Sequence, residues 1–193
     1  MKLMVVAYPE LASHDVEKIQ RCRRDHDQPF HKIVEPHFTF VFPIEEFSVE
    51  DFIAEAEKCT AGSKSISFVI RCATVNKNAF NELYHTFLVP DEGYSDIIKL
   101  HDKLYSGKFL RHLRLDLDFI PHIGISNSPD KRVCKTIADE WNHTDFEING
   151  RITALDVIAF DGHAVTPLKK VGFQKWPFLM ALVTLKNKIE IRF

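Results

Sequence analysis

No Cys-x-x-Cys pair occurs in this chain. Its four cysteines, Cys22, Cys59, Cys72 and Cys134, are scattered. That argues against a zinc ribbon or a dithiol redox motif and leaves reduced, buried thiols as the expectation. Long apolar runs are missing too. Leu3 to Ala7 stops at Pro9, too short for a signal-peptide core or a membrane span, and no other stretch is long enough to span a bilayer. The expectation is a cytoplasmic protein with no membrane partner. Charge of one sign is also lacking: 25 Lys and Arg against 27 Asp and Glu leave a net charge of −2, so the chain does not coat nucleic acid by charge alone. The local basic clusters, Arg21/Arg23/Arg24, Lys99 to Arg114 and Lys169/Lys170, read first as solvated surface, although any of them could meet a short anion. Low-complexity segments and long linkers are absent. With 45% apolar residues and an unusual 16 Phe, there is material for a real core in one domain over residues 1–193, built as two tightly joined lobes.

The pattern of elements supports two lobes. Leu3 to Tyr8 reads as a strand, and Ser13 as the cap of a helix through Val16, Ile19 and Cys22. Pro36 opens a strand over 38–44. Ser48, with Glu50 and Asp51 behind it, starts a helix reaching about Cys59. Strands over 65–75 and 83–89 come next, with Asn76-Lys77-Asn78 as the turn. A helix from about Tyr94 to Tyr105 is succeeded by a strand over 121–125. Ser128 and Pro129 look like the cap and first residue of a helix to about Trp141. Strands over 147–160, interrupted near Asn149-Gly150, and 165–173 complete the order, joined by Asp161-Gly162. Residues 178–193 suit strand or helix. A strand–helix–strand–helix–strand–strand order occurring about twice predicts an α+β fold of two pseudo-symmetric lobes, mostly antiparallel sheet plus helices, around a central cleft.

A short phrase also occurs twice. Pro36-His37-Phe38-Thr39-Phe40 and Pro121-His122-Ile123-Gly124-Ile125 each read Pro, His, large apolar, small, large apolar. In a strand, residues i and i+2 share a face. His37 and Thr39 then point one way, with Phe38 and Phe40 in a core behind them, and His122 pairs similarly with Gly124. One histidine in a strand is usually a satisfied structural residue. Two in matching settings, expected on central strands, can face each other across one cleft, one taking a proton from a nucleophile while the other gives one to a leaving oxygen.

These two phrases resemble the motifs of the two-histidine (2H) phosphoesterases, in the branch of the 2′-5′ RNA ligases and cyclic phosphodiesterases. His37-Phe38-Thr39-Phe40 matches His-x-Thr/Ser-x, and His122-Ile123-Gly124-Ile125 matches it with glycine in place of the hydroxyl residue. The resemblance covers nearly the whole chain except its final stretch. It implies a bilobal fold and a cleft without metal or other cofactor. It also implies that His37 and His122 are the acid–base pair and Thr39 a phosphate contact. The implied partners are RNA ends or small nucleotides with a 2′,3′-cyclic phosphate or 2′-5′ linkage, met by a monomer. The alternative is a non-catalytic module that binds RNA ends or nucleotides and has lost the hydroxyl at 124.

Three further residues belong to the candidate substrate site. Gly124 either removes a hydrogen bond to phosphate or makes room for a larger substrate. Ser126, next on the same strand face, replaces the missing hydroxyl only if the strand bends or a water bridges. His85 lies beside Thr86 and so on the opposite face from it; packing in its strand is the simpler reading, and lining the cleft the functional one. Arg111 and Arg114 are possible phosphate contacts. The dipeptides His26-Asp27 and His101-Asp102 sit in helices without further ligands, so no metal site is expected.

Overall fold

In a computed structural model, residues 1–28, 30–78 and 81–174 are described. Two antiparallel sheets are formed. The four-stranded sheet contains β1 (Lys2–Ala7), β3 (Phe38–Ile44), β8 (Ala154–Phe160) and β9 (Val165–Gly172) in the order β3-β1-β8-β9. The five-stranded sheet contains β2 (Glu10–Leu11), β4 (Ile66–Lys77), β5 (Tyr84–Glu92), β6 (Ile123–Ser128) and β7 (Ile148–Ile152) in the order β2-β7-β4-β5-β6. Four helices cover them: α1 (Ser13–His26), α2 (Val49–Thr60), α3 (Tyr94–Leu104) and α4 (Lys131–Asn142). The α+β class, the two lobes and the antiparallel pairing agree with the expectation.

The two halves of the chain are interlocked. Each sheet carries a Pro-His strand at one edge, β3 beside β1 and β6 beside β5, and is completed with strands from the other half. The helices cross in the same way. α1 comes after β1 but packs against β6, and α3 comes after β5 but packs against β3. Burial of the phenylalanines explains their abundance. Phe38 meets Phe68 edge-on, while Phe52 and Phe109 pack together under Phe47.

Several boundaries differ from the sequence reading. Thr153, not Asn149-Gly150, breaks the 147–160 stretch, and the pieces β7 and β8 join different sheets. β6 runs on to Ser128, so Asp130 rather than Ser128 caps α4, accepting from the Arg132 N–H. β4 continues to Lys77, which puts Asn76 in a strand instead of a turn. Ser13 is the first residue of α1, whose Ncap is Ala12. Ser48 does cap α2, accepting from the Asp51 N–H. The two Pro-His strands are edge strands of their sheets among the described residues, not central ones. Arg23 is no solvated cation: it is fully buried. The ambiguous stretch 178–193 lies outside the described residues.

Candidate active site

Both histidines sit one residue before their edge strands, and both line a single cleft of about 520 Å³ between the sheets. Alternation works as expected through this point. His37 and Thr39 line the cleft while Phe38 and Phe40 are buried behind them; His122 and Gly124 line it from the other sheet with Ile123 and Ile125 buried.

Each imidazole is held by the same local device. His37 Nδ1 lies 2.8 Å from the Glu35 carbonyl oxygen, and His122 Nδ1 lies 2.5 Å from that of Ile120. A carbonyl only accepts, so each Nδ1 carries the hydrogen and donates it. That leaves Nε2 as the nitrogen that binds or releases a proton in the cleft.

The loops feeding the two histidines are pinned from beneath. Buried Arg23 donates to the Phe30 and Val34 carbonyls at 3.3 and 2.7 Å and to Asp27 at 3.0 Å, fixing the approach to His37. On the other side, buried His101 stacks on Phe119 with centroids 3.6 Å apart, three residues before His122. Ring contacts then set the imidazole planes. Tyr8 meets His37 edge-on, and Phe87 lies face to face with His122, centroids 3.5 Å apart and planes 16° off parallel.

Burial dominates the electrostatics. Desolvation lowers the His37 pKa to about 4, opposed by its hydrogen bond to Glu35 and assisted by the nearby Arg23 charge. His122 is likewise lowered to about 4 by desolvation, with its bond to Ile120 opposing and repulsion from His37 and His85 adding to the shift. Both are therefore neutral at pH 7 in the free protein. A bound anion supplies the opposite charge that favours an imidazolium.

The remaining candidates divide. Gly124 is opposite Phe87 in the register, and a Cβ added to it would meet nothing within 4 Å. Ser126 is turned away from the cleft, a correction to the strand-face expectation. Phe87 pairs with Gly124 and Thr86 with Ser126, so Ile125 is an extra, bulged residue that flips the face of the positions after it. The Ser126 hydroxyl is buried, donating to Thr86 Oγ1 at 2.7 Å. His85 lines the cleft, but its nitrogens are occupied: Asn78 donates to Nε2 at 2.5 Å, and the Ser126 backbone bonds the ring as well. It faces the cleft as a fixed ring, stacked on Phe87 with planes 17° apart.

Arg111 and Arg114 do not line the cleft. Arg111 lies over Phe47, and Arg114 pairs with Asp116. His26-Asp27 is drawn apart, Asp27 bonding to Arg23, and His101-Asp102 pairs within itself. Among the described residues no group of three or more His, Cys, Asp or Glu side chains comes together to hold a metal ion, and no helix is long and apolar enough to cross a membrane. The sequence reading missed Tyr8, Arg23, Asn76, Asn78 and Phe87. Only Phe87 carried a signal, two positions from His85 and so on its face; the others depend on which strands become neighbours.

With this geometry established, comparison decides the family. The model of the 2′-5′ RNA ligase superfamily matches residues 8–164. The chain belongs to the 2′-5′ RNA ligase superfamily. Solved structures share the fold at low identity. The Thermus thermophilus protein TT0787 is 14% identical with a TM-score of 0.56, the match covering 90% of this chain and 98% of that one. Apo LigT of E. coli is 17% identical with a TM-score of 0.52 over the same shares. Usb1 of Kluyveromyces marxianus is 10% identical with a TM-score of 0.51, covering 89% of this chain and 98% of its own. No curated protein matches the chain. Membership of this superfamily supports an enzyme of the phosphoesterase and ligase kind.

Proposed function

We propose that the cleft hydrolyses 2′,3′-cyclic phosphates, or 2′-5′ phosphodiesters, at RNA ends or on small nucleotides by two-histidine acid–base catalysis without a metal. The observation that carries this reading is the repeated lock: two imidazoles, each tied through Nδ1 to the carbonyl two residues back, presenting Nε2 to one cleft. One neutral Nε2 takes a proton from water as the water oxygen bonds to phosphorus. The other histidine, protonated, gives its proton to the departing 3′ oxygen, leaving a 2′-phosphate. A 5′-hydroxyl in place of water would form a 2′-5′ link. Thr39 donates a hydrogen bond to a phosphoryl oxygen, and Gly124 contributes none. Because both histidines are neutral in the free protein, anion binding brings in the proton the acid needs. Structures of E. coli LigT with 3′-AMP and with ATP support a nucleotide as the ligand class.

The absent hydroxyl at 124 favours a second reading, a module that binds nucleotides without turning them over. Turnover of 2′,3′-cyclic AMP in excess EDTA separates the two. Activity that survives the chelator and falls at least a hundredfold in both His37→Ala and His122→Ala, with the double variant little worse, supports the enzyme. Binding without turnover supports the module, and loss of activity in EDTA refutes the metal-free mechanism.

A further inference from the structure

The cleft extends beyond the reacting histidines to the β4–β5 hairpin, where Asn76, Asn78 and His85 line it. Asn76 on β4 is in register with His85 on β5, and Phe87, two residues further on, is in register with Gly124 on β6. Gly124 and Asn76 are thus two strands apart, about 10 Å, and one side-chain row apart, about 7 Å. That separation suits a nucleoside lying along the sheet rather than a bare phosphate. Between the two ends the wall is aromatic: the parallel rings of His85, Phe87 and His122.

One polar group at the far end is stranded. The Asn76 amide nitrogen is buried and has no hydrogen-bond partner among the described residues, whereas its neighbours Asn78 and His85 bond to each other. A buried donor without a partner costs stability and calls for an explanation. Asn76 itself lines the open cleft whose other end holds His37 and His122, so a turn of its side-chain amide brings this nitrogen to a bound ligand.

We infer that Asn76 determines specificity in a nucleobase subsite, its amide nitrogen donating to a carbonyl oxygen or ring nitrogen on the base edge of the bound nucleotide. The rings of His85 and Phe87, stacked on each other, give the nucleoside an apolar surface between that contact and the phosphate. Asn76 touches neither phosphorus nor a transferring proton, so it acts on binding and on choice of base. This inference rests on the phosphoesterase reading for its substrate.

The test compares 2′,3′-cyclic AMP, GMP, CMP and UMP with a base-free substrate, glycerol 1,2-cyclic phosphate, in the wild type, Asn76→Ala and Asn76→Asp. The expected result is that Asn76→Ala raises KM about tenfold for the preferred nucleotide, the worth of one hydrogen bond, with kcat within about twofold. Kinetics on the base-free substrate stay unchanged. Asn76→Asp, which offers only acceptors, shifts preference toward bases presenting donors. Equal KM changes on all five substrates, or none, overturn the subsite. Should the wild type turn over no substrate, the phosphoesterase reading fails separately. Calorimetric titration with the four cyclic nucleotides then decides the subsite: base preference lost in Asn76→Ala upholds it, and unchanged affinities reject it.

Discussion

Gly124→Thr restores the hydroxyl that the second motif lacks. The site accepts it: a Cβ there meets nothing within 4 Å, and Gly124 does not have a positive φ. It is in register with Phe87 on the cleft-lining face, upstream of the bulge at Ile125. The new side chain therefore enters the cleft beside His122. A hydrogen bond to a charged group contributes roughly 1.5–3 kcal/mol. If about half of this is realised only as charge develops on the phosphoryl oxygens, kcat rises about tenfold. The backbone gains independently, since glycine in a strand costs roughly 0.5–1 kcal/mol against alanine and threonine suits strands. The melting temperature should then rise by about 2–4 °C. The assay is kcat and KM on 2′,3′-cyclic AMP and on a short oligoribonucleotide ending in the cyclic phosphate, with a melting curve beside it. A variant that melts higher but turns over both substrates more slowly refutes the missing-hydroxyl account. Loss confined to KM on the oligonucleotide would instead show that the glycine clears a path for substrate.

Three further outcomes are expected from the same geometry. The active form carries one proton on the histidine pair, and both pKa values are lowered to about 4 in the free protein. kcat/KM should therefore fall about tenfold per pH unit from about pH 5 to 7, while the kcat profile sits at higher pH because bound anion favours the imidazolium; a kcat/KM flat from pH 5 to 8 would contradict the burial argument. The linked stability, read from denaturant unfolding across pH, has a definite sign. Unfolded histidines near pH 6.5 take protons that the folded ones resist down to about 4, so stability falls as pH drops through that window. Ser126→Ala removes a buried hydroxyl bonded to Thr86; it should cost about 1 kcal/mol in denaturant unfolding and leave kcat untouched, whereas a drop in kcat at unchanged stability would return Ser126 to the site.

What sequence alone determined was local. The repeated Pro-His phrase needs only strand alternation to place an imidazole on one face and bulky apolar residues on the other, and Phe38, Phe40, Ile123 and Ile125 are buried accordingly. The same local logic held for the Ser48 cap. Alternation failed at Ser126 because a bulge is a property of two paired strands: the extra residue at Ile125 exists only relative to Thr86 and Phe87 across the ladder. The site's surroundings were hidden for the same reason. Asn76 reads as a turn residue until β4 finds β5 as its partner, and Arg23 reads as surface until the 30–34 loop folds over it. Side-chain direction is set by backbone periodicity over a few residues. Which faces become a cleft, and which polar groups there lose water, is decided only when the two interlocked sheets close on each other.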